Sequence, residues 1–200
     1  MSTAIILAGG RSSRSGRIHK GLRTLNRAGQ PVSWLEYQIQ QLRRAGFNRI
    51  VLATGFRPRP LLNKAAGAQQ THNPNPARGP FSTLQQALKG FISQQTLLVP
   101  LDNPVPAPAV LFRIRRALQN KRIAKPCYQG RGGHPLLLSK TVVQHLLKVD
   151  PAAADARLDH QLRRLAHKDI ARVGVTTPLV RTNLNNQRQW TRYKSAKQGT

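Results

Sequence analysis

The sequence predicts an α/β fold, a three-layer sandwich in which helices cover both faces of a mainly parallel sheet. Strand-like and helix-like segments alternate along the 200 residues, and alternation on this scale is typical of βαβ units. Three segments, 3–7, 49–54 and 96–101, are largely apolar, as buried strands of a parallel sheet are. Ligands of such folds bind at the carboxyl ends of the strands.

The elements between these strands follow from apolar spacing and from residues that begin or end helices. Apolar residues from Trp34 to Leu42 recur at helical spacing before Gly46, which predicts a helix that ends near that glycine. Ser82 stands where its side chain can cap a further helix, and Ser139 precedes another helical pattern. The remaining pattern predicts helices near 84–91, 110–118, 142–147 and 158–165, and short strands at 135–138 and 172–175.

Size and composition predict one globular domain over residues 1–190 followed by a flexible tail over 191–200. The chain is 39% apolar, which is enough for a substantial core, whereas the last ten residues are polar and basic. The lone Cys127 excludes an internal disulfide and is expected to be a small buried side chain. No secretion signal or membrane-spanning run is visible, so we expect a cytoplasmic protein that does not enter membranes.

Charge is the most unusual property of the composition. The chain has 33 Lys and Arg against 6 Asp and Glu, a net charge of +27, and such a field attracts polyanions. It fits a nucleic acid or phosphate-rich partner, or a solvated surface that has lost its acids. Aromatic residues make up only 5% of the chain and no RNA-binding motif is visible, which argues against a dedicated RNA-binding domain. Nonspecific association with nucleic acid or another polyanion is expected from charge alone.

The segment 7–16, LAGGRSSRSG, leaves the first strand and becomes a glycine-rich, basic loop. Its two glycines let the backbone approach a ligand, and consecutive N–H groups in such a turn bind anions. Arg11, Arg14 and Lys20 add positive charge. The loop matches neither the Walker pattern nor the dinucleotide fingerprint. It predicts a phosphate site, with an ordinary β-to-α turn as the alternative.

Asp102 and His134 are the other residues singled out by their position. Asp102 follows an apolar strand on the same predicted edge as the glycine-rich loop, where a carboxylate can hold Mg²⁺ against nucleotide phosphates. Its alternative role is to cap the proline-rich turn that follows. For His134, which precedes Pro135, anchoring a turn is favoured over contact with a phosphate.

Six segments along the chain form an ordered set of motifs. They are LAGGRSSRSG with KGL at 20–22, NRAGQPV at 26–32, RGPFSTL at 78–84, LVPLDNP at 98–104, GHP at 133–135, and NLN at 183–185 followed by Trp190. In this order they resemble the MobA-like nucleotidyltransferases, and within them the molybdenum cofactor guanylyltransferases. The resemblance covers most of the chain, and the order and spacing of the segments make it specific.

This resemblance implies a Rossmann-like sheet of the nucleotidyltransferase type and a Mg²⁺-dependent reaction. In that reaction a phosphate of the acceptor attacks the α-phosphorus of a nucleoside triphosphate, and pyrophosphate leaves. Gly10, where cytidylyltransferase relatives usually have Ala, favours GTP. The implied reaction is transfer of GMP to a phosphorylated acceptor such as molybdopterin or the molybdenum cofactor.

The resemblance also implies site residues, position by position. The catalytic residues are Lys20, Asp102 and Arg11. The nucleotide-binding residues are Leu7, Ala8, Gly9, Gly10, Arg14, Lys20, His72 and Asp102. The metal ligands are Asp102 and Asn185, of which only the first is charged.

Three positions depart from the family pattern and keep alternatives open. Ser15 replaces a methionine, His72 stands where an acidic residue is expected, and 186–189 replace the closing TPEE. One alternative is a cytidylyl- or sugar-phosphate nucleotidyltransferase. The other is a homologue that has lost catalysis and binds nucleic acid or another polyanion.

Overall fold

One mixed sheet of eight strands forms the centre of the fold. The computed structural model describes residues 2–11, 19–65 and 67–198. The strands in these ranges are β1 (Ser2–Ala8), β2 (Thr24–Arg27), β3 (Gln30–Ser33), β4 (Arg49–Thr54), β5 (Gln69–His72), β6 (Gln95–Pro100), β7 (Ile123–Tyr128), β8 (Arg131–Gly132), β9 (Leu136–Ser139) and β10 (Ile170–Gly174). Strands β2 and β3 form a separate antiparallel hairpin.

The order of strands across the large sheet is β10-β7-β9-β6-β1-β4-β5, with β8 paired to β7. Strand β1 pairs in parallel with both β4 and β6, and β4 with β5, while β7 and β10 form another parallel pair. Strand β9 runs antiparallel to β6 and β7 and joins the two parallel groups. The expectation of a mainly parallel sheet is therefore confirmed.

Helices pack on both faces of this sheet and give the predicted three layers. The helices are α1 (Trp34–Arg44), α2 (Arg59–Leu62), α3 (Pro80–Gly90), α4 (Pro108–Leu118), α5 (Lys140–Lys148), α6 (Leu158–Arg163) and α7 (Gln187–Gln198). Along β1, Ala4 and Ile6 face a core shared with α1, α4 and α7. Ile5 faces the opposite core, which α3 and α5 cover. This alternation is what a strand buried on both faces requires.

Helix α1 begins where the apolar spacing predicts, and of three serines near helix starts only Ser33 caps a helix through its side chain. Ser33 caps α1 by accepting the Glu36 N–H, and the Glu36 carboxylate accepts the Ser33 N–H in return. Ser139 immediately precedes α5, and its side chain accepts no N–H of that helix. The expected cap at Ser82 is wrong: α3 begins two residues earlier, after Gly79, and the Ser82 hydroxyl donates to the Gly79 carbonyl. Gly79 has a φ of +91°, which a residue with a side chain rarely adopts.

Helix α7 spans the boundary expected at residue 190 and covers most of the segment expected to be a tail. Helix α7 continues to Gln198, and Tyr193 is buried beside Trp190. Both rings meet Trp34 edge-on, at centroid distances of 5.5 Å for Trp190 and 5.4 Å for Tyr193. The expected boundary at residue 190 therefore cuts through a packed helix, because its two aromatic side chains anchor it to the core.

Composition also gives expectations for the lone cysteine and for the hydrophobicity of the helices. Cys127 is buried and unpaired, as expected for a small core side chain. None of the helices in the described ranges is long and apolar enough to cross a membrane.

Replacing Ser33 tests the start of α1. Ser33→Ala should lower the free energy of unfolding by about 1 kcal/mol, because the Glu36 N–H loses its acceptor. Urea denaturation measures the change. Ser139→Ala is the matched control, because the Ser139 side chain accepts no N–H of α5. Equal losses in the two variants would contradict the assignment.

Candidate active site

The carboxyl ends of three neighbouring parallel strands meet at one edge of the sheet. Strand β1 runs into Gly9, β4 into Gly55, and β6 into the turn that carries Asp102. The Leu101 N–H donates to the Leu7 carbonyl at 3.0 Å, so the ends of β1 and β6 lie together. The structure thus places the glycine-rich loop and Asp102 at the same edge, where ligands of such sheets bind.

Lys20, Asp102 and Asn185 form the centre of this site, which we call the lysine centre. The Lys20 ammonium lies 3.3 Å from Asp102 Oδ2 and donates to Asn185 Oδ1 at 2.5 Å. The Lys20 and Asp102 side chains are 17% and 22% exposed, so a ligand can reach them while water screens them only partly. Three residues that the resemblance implied as functional are therefore in direct contact.

The main chain of Leu184 brings these three residues together. Its N–H donates to the Asp102 carbonyl at 2.8 Å, and its carbonyl accepts from Arg23 Nη1 at 2.9 Å. Leu184 is buried and directly precedes Asn185. Arg23 follows the short 3₁₀ turn Lys20–Leu22. Leu184 therefore ties the lysine turn to the aspartate turn, a pair of contacts we call the Leu184 clamp.

Arg23 is a site residue that the sequence patterns did not reveal. It is only 6% exposed, and burial lowers the pKa of its guanidinium. The guanidinium lies over the Trp190 ring, 5.5 Å from its centroid, which compensates for part of the lost hydration. No local motif marks Arg23, because its partner Leu184 is far away along the chain.

Helix α1 holds the turn that carries Asp102. Trp34 Nε1 donates to the Leu101 carbonyl at 2.5 Å. The buried Gln38 donates to the Asn103 carbonyl at 2.6 Å and accepts the Val105 N–H at 2.9 Å. Both sides of Asp102 are thus fixed by buried side chains, and this positions the carboxylate.

Gly9 lies against the first turn of α3. A Cβ at Gly9 would be 2.6 Å from Thr83 Oγ1, so a side chain does not fit there. Asn73 donates to Thr83 Oγ1 at 3.0 Å and to Ser82 Oγ at 2.8 Å. Asn73 thus holds the Thr83 side chain against which Gly9 packs, and the loop at 9–10 lies close to α3.

Residue 72, implied as a nucleotide-binding position, lies apart from the lysine centre. His72 is exposed at the end of β5, and its Nδ1 is 3.4 Å from Thr54 Oγ1. Strands β4 and β1 separate β5 from the strand that leads to Asp102. At about 4.8 Å per strand, the two residues are roughly 14 Å apart across the sheet. The next residue along the chain, Asn73, is the one that is buried.

The basic residues of the glycine-rich loop are only partly described. The guanidinium of Arg11 lies over the Phe56 ring, 4.5 Å from its centroid, and the residue is exposed. This contact holds Arg11 near the loop that follows β4. Arg14 and Ser15 lie outside the described residues.

His134 lines a large cavity and lies within electrostatic range of Asp102. Its N–H donates to the Val180 carbonyl at 2.7 Å, and the peptide to Pro135 is cis. Burial lowers the pKa of His134; the charge of Asp102 raises it and that of Lys125 lowers it. His134 therefore anchors a turn, as favoured from the sequence, and also lies within electrostatic range of Asp102.

The side-chain oxygens at this site are suitable ligands for a hard divalent cation. Asp102 Oδ2 and Asn185 Oδ1 both contact the Lys20 ammonium, so a carboxylate and an amide oxygen converge on one point. Mg²⁺ is commonly held by one or two protein oxygens together with substrate phosphates. Within the described ranges there is no cluster of three or more His, Cys, Asp or Glu residues, so a cage made only of protein ligands is absent there.

Residues 4–173 match the family model of the MobA-like NTP transferase domain. The chain belongs to this family. The match covers most of the chain and includes Lys20 and Asp102. The expected family is confirmed, and the protein is a nucleotidyltransferase.

Two curated relatives carry more specific names. The molybdenum cofactor guanylyltransferase of Xanthomonas euvesicatoria is 31% identical over 194 residues, which cover 95% of this chain and 93% of that protein. The molybdenum cofactor cytidylyltransferase of Escherichia coli is 28% identical over 104 residues, which cover 50% of this chain and 54% of that protein. At these identities the family is clear and the nucleotide base is not fixed.

Solved structures share the fold over nearly the full chain. A nucleotidyl transferase from Methanothermobacter superposes with a TM-score of 0.82 at 20% identity, covering 98% of this chain and 97% of the other. Rv0371C of Mycobacterium tuberculosis, solved as a complex with manganese, gives a TM-score of 0.73 at 20% identity, covering 98% of each chain. These neighbours confirm the α/β sandwich of the nucleotidyltransferase type.

Replacing Gly9 tests the close approach of the loop to α3. Gly9→Ala should lower the free energy of unfolding by about 1–3 kcal/mol, because the new methyl group overlaps Thr83. Gly10→Ala should have little effect, since nothing lies within 4 Å of a Cβ there. Thermal unfolding measures both, and the double variant Gly9→Ala/Thr83→Ala should recover part of the loss. A harmless Gly9→Ala would show that the loop is not tightly packed.

His19 predicts a pH dependence of stability. It accepts the Gly21 N–H at 3.2 Å, which caps the Lys20 turn, and burial lowers its pKa to about 4. As pH falls from about 6.5 to 4, the unfolded chain binds a proton that the folded chain does not, so stability falls. His19→Asn should remove about 1–2 kcal/mol of that fall, allowing for partial exposure. Urea denaturation of the wild type and of His19→Asn at several pH values measures this difference. The same pH dependence of stability in both proteins would contradict the prediction.

Proposed function

We propose that this nucleotidyltransferase moves GMP from GTP to a phosphorylated acceptor in a Mg²⁺-dependent reaction that releases pyrophosphate. The contact among Lys20, Asp102 and Asn185 carries the proposal, because it gathers a cation and two oxygen ligands at the ligand-binding edge. The guanylyltransferase relative, which aligns over nearly the whole chain, supports GTP. It also supports molybdopterin or the molybdenum cofactor as the acceptor.

The residues at the edge divide the work of binding and positioning. The backbone at Gly9 and Gly10 approaches the nucleotide, because Gly9 has no side chain to hold it away. Lys20 and Arg11 neutralise phosphate charge, and Lys20 is oriented by its turn and by the Leu184 clamp. An oxygen of the acceptor phosphate attacks the α-phosphorus, and the bond from the α-phosphorus to the pyrophosphate oxygen breaks. Such in-line chemistry needs positioning and charge neutralisation rather than a protein nucleophile.

Asp102 and Asn185 are the residues that would hold the divalent ion. When bound, Mg²⁺ supplies further charge neutralisation on the phosphates. The manganese complex of the mycobacterial neighbour supports a divalent ion in this fold. Because only one of the two ligands is charged, we expect the ion to bind mainly together with the nucleotide.

The choice of nucleotide base and the location in the cell are inferred from the sequence. Gly10 favours guanine, whereas the Escherichia coli relative makes CTP the alternative nucleotide. A cytoplasmic location stays a prediction. So does nonspecific association with nucleic acid, which the net charge of +27 suggests.

A thermal-shift panel tests the nucleotide and its site together. GTP, CTP, UTP and ATP are each added with Mg²⁺ to the wild type, Lys20→Met and Asp102→Asn. At about 100 times its dissociation constant, GTP should stabilise the wild type by about 2.7 kcal/mol. Both variants should lose most of that shift, because each removes a charged group from the centre. Pyrophosphate release with molybdopterin as acceptor is measured in parallel.

Lys89→Met is the matched control for charge. Lys89 is exposed near the carboxyl end of α3, whereas the other end of that helix lies at the site, so the GTP shift should persist. A larger shift with CTP would assign the enzyme to cytidylyl transfer. A wild type that no nucleotide stabilises would support a homologue without catalysis that binds polyanions.

A further inference from the structure

A cavity of about 970 Å³ lies between the first turn of α3, strands β7 and β10, and helix α6. Small-molecule sites have volumes of roughly 300–1,000 Å³, so a compound of considerable size fits. The cavity is lined by both apolar and basic residues. This combination suits a molecule with both apolar and anionic parts.

Apolar side chains form a continuous part of the cavity wall. They come from the sheet through Ile123 and Leu136, from α3 through Leu84, and from α6 through Leu158 and Leu162. Ile123 and Leu84 are almost fully buried, and they fix the shape of this wall. Such a surface favours an apolar or aromatic body.

Two cations stand side by side in the part of the cavity wall that the sheet forms. Lys125 of β7 and Arg172 of β10 are direct neighbours in the parallel register, and both line the cavity. The stem of Lys125 rests on Gly132, where a Cβ would be 3.1 Å from Lys125 Cε. Like charges on adjacent strands repel each other, and an anionic group between them relieves this repulsion.

The acidic side chains of the described residues leave this pair of cations unneutralised. Asp159, the carboxylate in the described cavity lining, pairs with Arg157 at 3.1 Å and Arg163 at 3.4 Å. The ion pairs found in the described ranges include neither Lys125 nor Arg172. Their charge is therefore available to a ligand.

The cavity adjoins the lysine centre. Leu7 lines it, and the Leu7 carbonyl accepts the N–H of Leu101, the residue before Asp102. His134 also lines it and lies within electrostatic range of both Asp102 and Lys125. A molecule in the cavity therefore lies next to the strand end that leads to Asp102 and also reaches Lys125.

We propose that this cavity binds the acceptor and selects one with an apolar or aromatic body and a second anionic group, held by Lys125 and Arg172. The reacting phosphate lies toward Lys20 and Asp102, and the second anion lies against Lys125 and Arg172. The acceptor role rests on the proposed nucleotidyl transfer. The selection by charge and shape rests on the cavity itself.

Competition between two small anions tests the proposal. Naphthalene monosulfonate and naphthalene disulfonate each displace anilinonaphthalene sulfonate, whose fluorescence reports the displacement, at physiological ionic strength. The disulfonate should bind the wild type roughly tenfold more tightly, because its second sulfonate meets the cation pair. In Lys125→Met/Arg172→Met the two probes should bind within about twofold of each other. Arg172→Met alone, at an exposed position, should lose part of the preference.

Lys89→Met/Arg116→Met is the matched control, since it removes two exposed cations outside the cavity lining. It should keep the tenfold preference. An equal loss in the control would assign the preference to overall charge and overturn the proposal, as would an unchanged preference in the cavity variant. Displacement of the disulfonate by saturating GTP with Mg²⁺ would assign the cation pair to the nucleotide and also overturn it.

The proposed nucleotidyl transfer fails by a different result. If no nucleoside triphosphate stabilises the wild type, GMP transfer is wrong. The comparison of the two sulfonates then still tests whether the cavity prefers a second anionic group. If GTP binds and the disulfonate preference is absent, GMP transfer stands and the acceptor class proposed for the cavity is wrong.

Discussion

The Leu184 clamp is the constraint on which the arrangement of the site depends. Lys20, Asp102 and Asn185 come from the start, middle and end of the chain, and long side chains lose entropy when they are held together. The two main-chain hydrogen-bonding groups of Leu184 fix the segments that carry them. Because the clamp is buried, water does not compete for these groups. The centre is thereby largely formed before a ligand arrives.

Electrostatics at this edge differ from those of an enzyme rich in acids. Asp102 is one of only six carboxylates in a chain of net charge +27, and it is already paired with Lys20. A field of this sign raises the local concentration of anionic substrates and lowers their cost of approach. It also favours retention of an anionic product, so product release works against the same attraction that aids substrate binding.

Sequence patterns revealed those parts of the fold whose causes are local. The strand at 49–54 has the predicted bounds, because a buried strand between turn residues is visible in five or six letters. Helix α7 was missed, because Trp190 and Tyr193 stand among charged residues and only their packing on Trp34 shows that they are buried. Tertiary packing overrides a polar composition at this position.

For the candidate site, the residues found from sequence lie in motifs, and those missed act across the fold. Lys20, Asp102 and Asn185 lie in segments that resemble a family. Arg23 binds a carbonyl far along the chain. The neighbouring positions of Lys125 and Arg172 depend on the register of two strands that are distant in sequence, and register of that kind is not visible in either strand alone.

The packed rings of Trp34, Trp190 and Tyr193 give the molecule an intrinsic fluorescent reporter. Both tryptophans of the chain, Trp34 and Trp190, belong to it, and the Trp34 indole donates a hydrogen bond beside Asp102. All tryptophan fluorescence therefore originates where helix α7 meets the base of the site. Changes in emission report whether the two ends of the chain are docked together, without any attached dye.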